Sequence, residues 1–214
     1  MDYLQKRLIV LRSWLGAKEY FNALKALEFA MLYHTGTRKD GVSPEFSHQI
    51  LIAMYMKTLS KNLLFPEETF VTIFCHDLIE DYDIDLRLIT EKFGERSSHS
   101  IDLMSRKKFS QPAGTEKVAE YYYEEIATDP ISSVSKGGDR IHNIQSMPNV
   151  FTREKQRQYI LETETLVLPM IKQAKRNFPE QEPIYENIKL VLVSQIELIK
   201  LILGEKPTTN GQLS

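Results

Sequence analysis

Apolar residues along this chain recur every three to four positions, and no long segment alternates apolar with polar side chains. That period belongs to the α-helix and not to the half-buried strand, so an all-α fold is the expectation. Breakers are sparse, with 9 glycines and 9 prolines among 214 residues. A chain of this length hides roughly 70% of its extended surface on folding, enough for one core without a metal or disulfide staple. Residues 1–204 are therefore read as a single bundle of about ten helices, and residues 205–214, GEKPTTNGQLS less its first glycine, as a disordered tail.

The period and the caps place the elements. Tyr3–Leu15 and Tyr20–His34 read as the first two helices, and Pro44–Lys61 as a third, with Ser43 as N-cap and Pro44 in the first helical position. Pro66 opens a fourth, PEETFVTIFCHDLIED, with Glu67 and Glu68 where the helix dipole favours acids. Helices over Leu86–Phe93, Arg96–Met104, Glu116–Ala127, Pro130–Met147, Arg153–Asn177 and Asn187–Leu203 complete the set, and Ser105–Thr115 is a loop by composition. The last helix is the most apolar, but Lys189, Gln195, Glu197 and Lys200 interrupt it, so it is read as closing the core or forming a dimer seam and not as a membrane span.

Charge and cysteine content remove several function classes. With 27 Lys+Arg against 29 Asp+Glu the formal charge is −2, and no global field draws the chain to nucleic acid or to an acidic membrane. Any basic site must be local. Cys75 stands alone, so no internal disulfide forms, and MDYLQKRLIV lacks the apolar core and small-residue cleavage site of a signal peptide. The expected location is cytoplasmic.

Chemistry concentrates in three short stretches. In HDLIED, His76 and Glu80, and Asp77 and Asp81, lie four apart and share one side of a predicted helix otherwise made of apolar residues. Buried charges there need a partner or a metal; the alternative is a solvated acidic helix end running into Asp83 and Asp85. Asp139 and Asn143 sit four apart on another helix, and His48 is a third source. Two imidazoles and two carboxylates without a thiolate, His48, His76, Asp77 and Asp139, suit a divalent ion of Mn²⁺ type with open positions, whereas structural zinc usually recruits cysteine. Taken alone, His48 reads as a capped or core histidine. His142 is read as packing and hydrogen-bonding within its helix and His99 as a surface residue.

RKDGVSPEFSH, HDLIED and GDRIHNIQS resemble, in this order, the successive signature motifs of the hydrolase domain of RelA/SpoT proteins, a branch of the HD phosphohydrolase superfamily. The resemblance spans about Phe21–Ala174 and is nearest in kind to the stand-alone small alarmone hydrolases. It implies an HD-type metal-dependent phosphohydrolase that removes the 3′-pyrophosphate of the stringent-response alarmone (p)ppGpp, giving GDP or GTP and pyrophosphate. It further implies Mn²⁺ held by His48, His76, Asp77 and Asp139, and water activation by Glu80 and Asp81. Asn143 and Ser146 would contact the nucleotide, and Arg38 and Lys39 would border the guanine. Lys155 or Arg157 would reach a phosphate, with a solvated helix face as the other reading of each, and Arg106, Lys107 and Lys108 would lie near the mouth of the site.

One stretch departs from the pattern. Where relatives commonly carry Gly-x-Pro-Tyr, this chain has Gly41-Val42-Ser43-Pro44-Glu45-Phe46, which keeps an aromatic ring but removes a hydroxyl and adds a carboxylate. The resemblance therefore leaves other substrates in view: the pyrophosphorylated 3′ CCA end of tRNA, as in antitoxins paired with a toxic synthetase, or NADPH. A nucleotide-binding regulatory module without catalysis is the third reading. The partners implied are a small nucleotide, the tRNA 3′ end, a cognate toxic synthetase and a second copy of the chain.

Overall fold

The computed structural model describes residues 3–106 and 115–205, which contain twelve α-helices and no β-strand. They are α1 (Tyr3–Ala17), α2 (Phe21–Met31), α3 (Ser47–Leu59), α4 (Pro66–Cys75), α5 (Leu78–Tyr82), α6 (Leu86–Phe93), α7 (Glu95–Met104), α8 (Thr115–Ile126), α9 (Pro130–Ser146), α10 (Arg153–Glu162), α11 (Leu168–Asn177) and α12 (Glu182–Ile202). The all-α expectation holds. Among the described residues no helix is long and apolar enough to cross a membrane. Of the expected tail only Glu205 is described.

Two helices form the centre. Every residue of α4 from Thr69 to Cys75 is buried, and it packs against α2, α3, α7 and α9. Helix α9 begins where Pro130 occupies the first turn and the Asp129 carboxylate accepts hydrogen bonds from the Ile131 and Ser132 N–H groups. It then runs between α3 and α12 with no room for side chains at two positions. A Cβ on Gly137 would lie 2.8 Å from Ile188, and one on Gly138 would lie 3.0 Å from Ile52. The glycine pair thus lets three backbones approach and delivers the next residue, Asp139, to the interior. Helix α12 closes the core through Ile184, Ile188, Leu192, Ile196 and Ile199, one of its two expected roles.

Several boundaries differ from the sequence expectation, α12 for one beginning at Glu182 and not Asn187, and three of the differences have a local reason. Helix α3 starts at Ser47, not Pro44. Ser43 is taken by Asp40, whose carboxylate accepts from the Ser43 N–H and hydroxyl, and Pro44 pairs with Thr37, so residues 37–44 close into a small hairpin-like loop. The helix through HDLIED is broken after Cys75, because the His76 ring takes the Ile73 carbonyl that a continuous helix would offer to the Asp77 N–H. The long helix over Arg153–Asn177 is continuous in direction but contains one wide π turn at Thr163–Val167 just before Pro169, which cannot donate to the ladder.

Candidate metal centre and its basic cavity

A cavity of about 710 Å³ opens between the loop of residues 37–44, α3, α5, α9 and α10. At its floor the four expected ligand side chains meet. His48 comes from the first turn of α3, His76 and Asp77 from the break between α4 and α5, and Asp139 from the middle of α9. The broken helix does not separate the HDLIED acids from the floor, because the Asp77 carbonyl still accepts from the Asp81 N–H at 2.8 Å.

The donor atoms face one another. His48 Nε2 lies 3.1 Å from Asp139 Oδ1, His76 Nε2 lies 3.1 Å from Asp77 Oδ1 and 4.0 Å from Asp139 Oδ1. Donor atoms of His48, His76 and Asp77 all fall within 4.8 Å of one another. His76 donates its Nδ1–H to the Ile73 carbonyl at 2.9 Å, so that in the neutral ring the lone pair is on Nε2. That Nε2 is buried and has no hydrogen-bond partner. An orphaned imidazole lone pair beside carboxylate oxygens is the arrangement a divalent cation satisfies, and it fits the donor set.

Each of these groups is held from behind. Gln49 Nε2 donates to Asp77 Oδ2 at 3.0 Å; Lys136 Nζ and Asn143 Nδ2 donate to Asp139 Oδ2 and Oδ1 at 2.9 and 2.6 Å. Burial by itself would raise the Asp139 carboxyl, but the adjacent Lys136 ammonium, with the nearby His48 ring, outweighs it and holds it well below the usual carboxylate range. Burial lowers the His48 imidazole against the pull of Asp139, which leaves it neutral, the form that ligates. His142 meets His48 ring to ring, Nδ1 to Nδ1 at 2.7 Å, and burial with neighbouring His48 and Arg38 pushes it down to about 3.

Glu80 and Asp81 stand on α5 at one side of the cavity, exposed to it. Partial burial and the charges of Asp77, Glu80 and Glu45 raise the Asp81 carboxyl. The walls around them are basic. Arg38 and Lys39 come from the loop, Arg106 from just beyond α7, where its backbone N–H donates to Glu80 Oε2 at 3.2 Å, Lys136 and Arg140 from α9, and Lys155 from α10. Lys39 and Lys155 lie over the Phe151 ring, with their Nζ atoms 5.9 and 4.3 Å from its centroid. Ser146 and Asn143 line the same side.

Not every expected residue arrives. Arg157 does not line the cavity: it lies two residues beyond Lys155, about 200° around the helix, and pairs with Glu205 at 2.7 Å. Lys107 and Lys108 fall outside the described residues. His99 is exposed and remote from the cavity, as expected.

Other residues escaped the sequence reading. Lys136 and Gln49 bear on ligands from within the motifs' own helices, and a three-residue spacing from Asp139 was the available signal for Lys136. Arg140 is 1% exposed and donates to Tyr123 and Glu162 at 2.6 and 2.9 Å, while Arg106 reaches the same Glu162 oxygen at 2.8 Å. His34, also buried, faces Glu45 Oε1 at 3.6 Å. Glu45 in turn accepts from the Tyr82 hydroxyl at 2.7 Å and the Gly36 N–H at 3.3 Å, tying the base of the basic loop to α5.

No family model matches the chain. Among curated proteins, a probable guanosine-3′,5′-bis(diphosphate) 3′-pyrophosphohydrolase of Synechocystis is 28% identical over 150 residues, 68% of this chain and 19% of that protein. The protein of that name from Aquifex aeolicus is 28% identical over 149 residues, 68% of this chain and 20% of its own length. A probable GTP pyrophosphokinase of Mycobacterium leprae is 24% identical over 196 residues, 89% of this chain and 24% of that protein. The chain thus spans about a fifth to a quarter of these relatives. A solved structure, described as a metazoan ortholog of SpoT that hydrolyzes ppGpp and plays a role in starvation responses, superposes with a TM-score of 0.59 at 17% identity, covering 78% of this chain and 93% of that one. It shares the all-α fold. The likeness to RelA/SpoT-type proteins carried by the motifs is found again in these relatives.

Proposed function

We propose that residues 1–204 form a Mn²⁺-dependent hydrolase that removes the 3′-pyrophosphate of (p)ppGpp. The observation that carries this reading is the orphaned Nε2 of His76 among His48, Asp77 and Asp139, set beneath walls of Arg and Lys. The names of the Synechocystis and Aquifex relatives supply the substrate class. His48, His76, Asp77 and Asp139 would hold the ion, which when bound supplies Lewis acidity that offsets charge at the phosphorus and makes water a stronger nucleophile.

The chain's own groups do the rest. Glu80 or Asp81, on the open side of the floor, takes a proton from the attacking water, and the raised carboxyl of Asp81 brings it toward the range where a base works. Water oxygen bonds to phosphorus, the bond from phosphorus to the ribose 3′ oxygen breaks, and that oxygen leaves as a hydroxyl, so one proton is taken and one returned. Arg38, Lys39 and Lys155 bind phosphate oxygens or stack on the base, and Asn143 and Ser146 offer hydrogen bonds to ribose.

The test is pyrophosphate release from ppGpp with Mn²⁺, beside Asp139→Ala and Glu80→Gln. Asp139→Ala should lose Mn²⁺ binding and release together; Glu80→Gln should bind Mn²⁺ normally and turn over about 10²–10⁴-fold slower. Release that survives Asp139→Ala, or release from pyrophosphorylated tRNA ends but not from ppGpp, overturns the reading.

A further inference from the structure

Among the five histidines, His142 makes a contact that neither the donor set nor the cavity walls account for. Its Nδ1 lies 2.7 Å from His48 Nδ1, with ring centroids 4.7 Å apart and planes at 65°, and the two side chains are 9% and 4% exposed. Two ring nitrogens at this distance share one proton: two lone pairs would repel, and two N–H groups would collide. The position of that proton decides which nitrogen of His48 carries a lone pair on its far side.

We infer that His142 is a positioning residue that sets the tautomer of His48, accepting the His48 Nδ1–H at its own Nδ1 and so presenting the His48 Nε2 lone pair to the metal. This rests on the metal reading above. His76 obtains the same result from the Ile73 carbonyl, a fixed acceptor with no proton of its own. His48 sits at the first turn of α3, where the carbonyl three residues back belongs to Glu45 and already accepts the His48 backbone N–H at 3.3 Å, so a side chain from α9 does for His48 what the backbone does for His76. The same helix thereby supplies a ligand, Asp139, and the group that orients its neighbouring ligand, three residues apart.

The experiment measures Mn²⁺ affinity by titration calorimetry on metal-free wild type, His142→Asn and His142→Leu, and the visible spectrum of each protein loaded with Co²⁺. The Asn carbonyl oxygen can stand where Nδ1 stands and accept the same hydrogen bond. His142→Leu should bind Mn²⁺ about 10–100-fold more weakly, with an altered Co²⁺ spectrum, and His142→Asn should recover most of both. Equal affinities in all three folded proteins, or equal losses in Leu and Asn, overturn the inference while leaving the metal site standing. Wild type that takes up no Mn²⁺ sinks the metal reading itself, and this inference with it. If His142→Leu does not fold, ¹⁵N shifts of Zn²⁺-loaded wild type decide: His48 Nδ1 protonated and His142 Nδ1 bare supports the assignment, and the reverse overturns it.

Discussion

The floor of the cavity and its rim are built on opposite principles. On the floor each donor has a second contact at its back: His142 behind His48, the Ile73 carbonyl behind His76, Gln49 behind Asp77, Lys136 and Asn143 behind Asp139. On the rim Arg38, Lys39 and Lys155 sit on a loop and the exposed first turn of α10, and two of them share one Phe151 ring. The difference follows from how the two interactions decay. Metal coordination tolerates errors of about 0.2 Å, whereas attraction between unit charges changes little over 1 Å. The floor must be rigid, and the rim need only be charged.

Replacing the buried polar groups on the floor side of the cavity should therefore cost most. Arg140→Met should destabilise by about 3 kcal/mol, since it removes a buried guanidinium from the half-buried Glu162 and from Tyr123, and urea melts measure it. Although burial favours the acid form, Arg140, Tyr123 and Arg106 hold the Glu162 carboxyl below its ordinary 4.5. A depressed carboxyl stabilises above its ordinary value and loses that contribution as pH falls through the lower folded value, so the gap between wild type and Arg140→Met should be full at pH 7 and narrow below about 4.5. A gap constant with pH would show that packing of Arg140, not its charge, matters.

The next effect separates the two regions directly. Mn²⁺ at about 100 times its Kd should raise wild-type stability by about 2.7 kcal/mol and leave Asp139→Ala unmoved, while Lys39→Ala and Lys155→Ala keep the full shift. Loss of the shift in a rim variant would break the comparison. Between floor and rim stands Glu45. Glu45→Ala unties the basic loop from Tyr82 and should raise KM for ppGpp by up to about tenfold, roughly 1.4 kcal/mol, with kcat within twofold; a fall in kcat alone would place Glu45 in the chemistry instead. Smallest of all, Arg157→Ala should change KM by less than about twofold, because its exposed pair with Glu205 lies away from the cavity, and Lys155→Ala in the same assay should exceed it.

What could be read beforehand divides along the same line. Helical spacing brought His76, Asp77 and Asp139 forward, because ligands must be polar and must project from apolar helix faces, and only the donor set and the order of the motifs added His48. Their supports were hidden, since Gln49, Lys136 and Arg140 differ from any solvated residue only in what packs over them. The break after Cys75 was equally invisible: it comes from a ring hydrogen bond to Ile73, not from glycine or proline. Ser43-Pro44 is the converse case, a good start signal that Asp40 captured for a loop. Arg157 shared its composition and neighbourhood with Lys155, and only the turn of the helix parts them.

The wide turn at Thr163–Val167 sets a phase between two halves of one rod. Its extra residue rotates everything before it by about 100° relative to α11, which is anchored against α9 and α12 by Met170, Ile171 and Ala174. Deleting a single residue there would restore an unbroken screw. It would also swing Glu162 off both arginines and carry Lys155 from the cavity mouth, so the loss of one residue in a turn that does not line the cavity would undo the back of the pocket and a post of its rim in one motion.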